Sequence, residues 1–154
     1  MKKYFHRELG LILKSIILFP TIPNKLKDPH RDGPRSDYSY SAINIPVANT
    51  KGTLQVWWPG FDESRVKQFN LTRPDGTKSI GFDIVPEWKE EEFDQIPSDY
   101  SLELLSPHLL NTNVIHGVDN RLNNDWRLVM SLRFIGNPKL EQVKEQILNT
   151  RGHL

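Results

Sequence analysis

The apolar residues of this chain fall in short runs, each broken within a few positions by proline, glycine or asparagine. That punctuation favours many short strands over long helices. Leu11–Phe19 reads as a buried strand ending at Pro20, and Tyr38–Val47 as a strand around Ala42, Ile43 and Ile45, closed by Pro46. Ala48–Gly52 reads as a hairpin turn into Thr53–Trp58, and Thr77–Val85 follows the turn Arg73-Pro74-Asp75-Gly76. Ser101–Leu105, Leu109–Leu110 and Val114–Val118 are further short strands, and Trp126–Ile135 is the longest clean alternation. Between the first two strands, the proline-rich and charged Thr21–Ser36 reads as an exposed loop. The acidic stretch Glu87–Asp99 reads as a short helix or a solvated segment. A convincing helix covers residues 138–149, with Asn137 to cap it, Pro138 in its first turn and an apolar stripe of Leu140, Val143, Ile147 and Leu148. The pattern predicts a mainly β barrel or sandwich with a C-terminal covering helix.

At 154 residues the chain has room for one domain, spanning 1–154 with a core over about 11–135. Twenty Lys and Arg against nineteen Asp and Glu leave a net charge of +1, which gives no signal for nucleic acid or an anionic membrane. The absence of cysteine excludes disulfides, zinc-finger clusters and a thiol nucleophile, so a metal site must come from His, Asp and Glu. The apolar N-terminal run is too short to span a bilayer, and Lys14 interrupts it. A soluble, cytoplasmic protein is expected, and Asn70-Leu71-Thr72 reads as a chance match to a glycosylation acceptor.

Two candidate ligands lie close together in Asp28-Pro29-His30-Arg31-Asp32-Gly33. Residues two apart in extended chain point the same way, so His30 and Asp32 can reach one ion. A two-His-one-carboxylate facial triad needs one more imidazole, and this set leaves positions open on an Fe(II) centre. His116, on the face shared by Val114 and Val118 and beside the small Gly117, is the best candidate; Asn120 can hold the turn that follows. Eleven residues later Arg127 begins an alternation that puts Val129, Ser131 and Arg133 on its face. A guanidinium on a mostly apolar strand is costly to bury unless it meets an anion, and its planar fork suits a carboxylate. His6, His108 and His153 receive no role.

The ordered set of His-x-Asp, a distant His and an Arg one hairpin later resembles the Fe(II)/2-oxoglutarate-dependent dioxygenases. The proline-rich approach to His30, Ser41–Pro46 and the aromatic strand Leu54–Trp58 are similar to the small phage and bacterial members of this cupin-like group. The resemblance covers roughly Leu11 to Phe134. It implies a double-stranded β-helix (jelly-roll, cupin-like), Fe(II) held by His30, Asp32 and His116, and Arg127 pairing the distal carboxylate of 2-oxoglutarate with help from Ser131. Asn44, Tyr38 and Trp57 would line the pocket. The implied activity couples 2-oxoglutarate decarboxylation by molecular oxygen to oxidation of a substrate C–H bond, as in a hydroxylase. Two features depart from the family. Twenty-nine residues precede His30, where larger members place bracing helices and strands, so oligomerisation is one way to complete the fold. Many members carry a serine two positions after the arginine, where this chain has Val129. Arg133 competes for the anion but is expected to lie farther along its strand from the metal.

The residues also admit plainer readings. His30 and Asp32 could form a solvated turn, His116 could be a core histidine on a backbone partner, and Arg127 an edge charge paired with Asp125 or Glu103. At the level of function, the alternatives are a barrel that binds a ligand or partner without oxidation, and a hydrolytic or isomerising metal enzyme using the same three ligands.

Overall fold

A computed structural model describes residues 2–32, 41–69, 82–95 and 100–151. Tyr38, the turn 73–76, Asn70 and His153 lie outside the described residues. The chain begins with helix α1 (Lys2–Leu9), then runs through β1 (Leu13–Thr21), β2 (Leu26–Arg31), β3 (Ser41–Ala48), β4 (Leu54–Trp57), β5 (Lys67–Phe69) and β6 (Phe82–Ile84). It continues with β7 (Tyr100–Glu103), β8 (His108–Asn111), β9 (His116–Asp119), β10 (Arg127–Phe134) and helix α2 (Leu140–Arg151). Two 3₁₀ helices, Glu63–Arg65 and Glu90–Gln95, flank β5 and β6.

The protein is mainly β, and the strands pair antiparallel in two sheets, β1-β10-β3-β8 and β5-β6-β2-β9-β4-β7, with a C-terminal helix. Neither sheet closes on itself. Successive strands alternate between the sheets from β1 to β4 and again from β7 to β10, while β4 to β7 all lie in the larger sheet. The turn at 48–52 is therefore not a hairpin: it carries the chain from β3 in one sheet to β4 in the other. Asn49 and Gly52, both at positive φ, make that crossing possible. No helix among the described residues is long and apolar enough to cross a membrane.

Four expectations are corrected. The expected loop at 21–36 contains β2, a strand inside the larger sheet. Its Pro29 is tolerated there because the β2–β9 register breaks between Lys27 and His30, so no ladder donor is needed. The Leu11–Phe19 run is not fully buried, because β1 is an edge strand and Ile16, Ile17 and Leu18 are exposed. The N-terminus forms a helix, whose Phe5 and Leu9, one turn apart, are both buried. Asn137 is not the helix cap: it sits at φ 44°, and the Lys139 N–H instead donates to Gln142 Oε1 (2.9 Å) at the start of α2.

The apolar core lies on the outer faces of the sheets. Phe5, Leu9, Leu132, Phe134 and Val143 bury α1 and α2 against the face of β10 that carries Leu132 and Phe134. A second cluster of Val56, Trp58, Phe61, Val85 and Ile115, joined by Val66 and Trp88, packs on the far side of β4. The helix over 138–149 therefore does cover a sheet face. Between the sheets, the inward faces carry a largely polar set of side chains.

Candidate metal centre

Each candidate ligand is aimed by backbone pairing. The break in the β2–β9 ladder lies just before His30, which then pairs opposite His116 in the register. Their ring centroids are 4.5 Å apart. Asp32 follows β2 by one residue, and its backbone N–H donates to the Thr112 carbonyl (2.9 Å). His30, Asp32 and His116 each offer a ligand atom, and these atoms all lie within 4.8 Å of one another.

The details ready two of these groups for coordination. His116 donates from Nδ1 to the Val114 carbonyl (2.8 Å), because a carbonyl can only accept, and this leaves Nε2 as the basic nitrogen. Burial pushes the His116 imidazole below its ordinary range, against the opposing pull of Asp32, so the ring favours the neutral form that a metal needs. Asp32 divides its oxygens. Oδ2 accepts from Arg133 Nη2 (2.7 Å), while Oδ1 lies 3.9 Å from His30 Nε2. Burial alone would raise the Asp32 carboxyl, but His116, Arg133 and His30 outweigh it and hold it down at about 2. Gly117 is required for space. A Cβ there would stand 2.8 Å from the Lys27 carbonyl and 3.0 Å from the Trp58 ring.

The three candidate ligands line an inter-sheet cavity of about 40 Å³ that Arg127 and Asn44 also line. Arg127 is 2 % exposed and meets no carboxylate among the described residues. Its contact is with the Thr21 hydroxyl at 3.4 Å, and its Nε has no hydrogen-bond partner. Burial pushes this guanidinium down to about 10. Neither Asp125 nor Glu103 pairs it, because β10 is an inner strand and not an edge. Asn44 Oδ1 is also buried without a partner.

The other expected residues divide. Trp57 lines the cavity while Trp58 packs in the outer core, as alternation requires. Ser131 shares the face of Arg127 but is fully buried, lacks a partner for Oγ and is not among the lining residues; Val129 takes that place. Arg133 departs from the expectation, since it contacts Asp32 directly, and it lies six positions along β10 from Arg127. Sequence reasoning missed Lys27, Gln55 and Thr112 in the lining; alternation from Trp57 flags Gln55, whereas Lys27 shares the face of His30 only through the register break between them. Asn120 does hold its turn. It accepts from the Thr53 hydroxyl and donates to the Ile22 carbonyl (2.8 Å). His108 begins β8 and bonds the Ser106 carbonyl, and His6 is exposed on α1.

No family model matches this chain, and no curated protein does.

Proposed function

We propose that the protein is a non-haem Fe(II)/2-oxoglutarate-dependent oxygenase, a hydroxylase, built on a double-stranded β-helix. The observation that carries this reading is one cavity holding both the His30–Asp32–His116 cluster and a buried arginine that meets no carboxylate among the described residues. The strand order supports the fold. With the β5–β6 hairpin set aside, the eight remaining strands pair as first-eighth-third-sixth and second-seventh-fourth-fifth, which suits the two Greek keys of a jelly roll.

The donor set fits the metal. Two imidazoles and one carboxylate on one side of a cavity are the facial arrangement used by Fe(II) oxygenases, and it leaves coordination positions for other ligands. Bound there, Fe(II) with 2-oxoglutarate supplies the oxygen-activating chemistry that oxidises a C–H bond. The remaining work falls to the chain. Arg133 holds Asp32 Oδ2, so that Oδ1 points toward the imidazoles. Arg127 receives the distal carboxylate, which relieves the cost of burying an uncompensated guanidinium, and Thr21 steadies its Nη1.

Anaerobic protein loaded with Fe(II) should develop a visible charge-transfer absorption when 2-oxoglutarate is added, and oxygen should then release succinate. His116→Ala should lose the absorption. A wild-type protein without the band, or a His116→Ala variant that retains it, rejects the proposal. Retention of no metal would favour a binding barrel. Metal-dependent turnover that survives loss of Arg127 would favour a hydrolytic or isomerising enzyme.

A further inference from the structure

Register places four rings in a row across the larger sheet. His30 pairs opposite His116, His116 opposite Trp57, and Trp57 opposite Tyr100, on β2, β9, β4 and β7 in turn. Cross-strand partners share a face, so this row leads from the metal cluster to the edge of the sheet. At that edge β7 ends the larger sheet and β8 ends the smaller. Between them lies a groove of about 560 Å³, walled by Trp57, Pro59, Tyr100, Leu102, Leu110 and Val114 among others. The groove and the metal cavity have Trp57, Leu110 and Asn111 in common as lining, so they adjoin.

Charge separates the two spaces. The cavity is lined by Lys27, Asp32, Arg127 and Arg133, all charged side chains. Among the described residues, the groove has no Lys, Arg, Asp, Glu or His in its lining. A charged group placed there would lose hydration and gain no partner. Trp57 Nε1 is already satisfied by the Asn111 carbonyl (2.9 Å), which pins the indole between the sheets, while Tyr100 stands 60 % exposed. Two aromatic side chains in adjacent register favour flat apolar partners.

We infer that this groove is the substrate subsite of the metal centre and that it takes an uncharged, flat apolar group, with the reacting carbon presented at the cavity beside it. The assignment rests on the oxygenase reading. The occupant is a reactant because the groove adjoins the metal cavity, and it is neutral because the described residues of the walls offer no ion pair.

The test uses the full chain loaded with Zn(II) and 2-oxoglutarate, with indole as the neutral probe and indole-3-acetate as its charged counterpart. Indole should shift the Trp57 and Tyr100 NMR signals saturably, and indole-3-acetate should bind at least tenfold more weakly. Leu102→Asp, at a half-buried edge position, should weaken indole binding at least tenfold while the Fe(II)–2-oxoglutarate absorption stays as in wild type. That absorption also reports correct folding, and Tyr100→Ala serves as a second variant with the same expected direction. Indole shifts that map elsewhere, equal binding of the two probes, or unchanged affinity in both variants would overturn the inference. Absence of the absorption in wild type, with indole still in the groove, would overturn the oxygenase reading and leave the ligand class of the groove standing.

Discussion

Arg127 illustrates how a candidate site residue costs the fold stability. Burial disfavours its charged form and pushes the guanidinium down to about 10, equivalent to about 3 kcal/mol at neutral pH. The sign follows from a cation whose folded-state pKa is depressed: the cost is fully present below pH 10 and is relieved as the pH rises above it toward the ordinary guanidinium range. Arg127→Met keeps most of the stem packing and removes the charge, so the ligand-free variant should melt several degrees higher by calorimetry. It should also lose the rise in Tm that 2-oxoglutarate gives the metal-loaded wild type. A lower Tm in the ligand-free variant would show that the guanidinium is already compensated. The face of β10 that carries Arg127 was legible, because alternation alone assigns it. The contact between Arg133 and Asp32 was not, since it depends on which end of β10 lies beside the end of β2.

Among the elements, β2 shows best where local signals mislead. Proline and charge over 21–36 are loop signals, yet the strand forms because its neighbours β6 and β9 supply partners on both sides and a break in register accommodates Pro29. That same break precedes His30, so the irregularity that hid the strand also helps aim the ligand. The two 3₁₀ helices between β4 and β7 are tied down by ion pairs. Arg31 on β2 reaches Glu63 (2.7 Å), and Arg65 reaches Glu92 (2.7 Å) between the two 3₁₀ helices. The hydrogen bond from Arg65 holds the Glu92 carboxyl below its ordinary value. Its contribution is therefore present above the usual carboxylate range and is lost as the pH falls through the lowered value. Carbon NMR should find Glu92 titrating below the ordinary glutamate range, and Arg65→Ala should return it there. An unchanged midpoint in the variant would show that the pair does not form in solution.

The whole molecule separates its apolar packing from the candidate site by putting them on opposite faces of the same strands. On β10, Leu132 and Phe134 pack beneath the helices, while Arg127, Val129 and Arg133 face the cavity. Leu132→Ala should cost about 2–5 kcal/mol in denaturant unfolding, yet leave the metal affinity of the folded protein within a fewfold of wild type. A large loss of metal affinity would show that the two faces are coupled. The sequence by itself determined what depends on nearest neighbours along the chain: a mainly β protein, its C-terminal helix, the alternation of β10, the separation of Trp57 from Trp58, and the identity of the candidate ligands. Tertiary structure decided what depends on partners far apart in sequence. It chose which strands pair and in which sheet, turned an apparent hairpin into a crossing, made a strand of an apparent loop, and set Arg133 rather than Arg127 against Asp32. Alternation fixes a side chain's face within its own strand, but the hydrogen-bond ladder between strands fixes what that face meets.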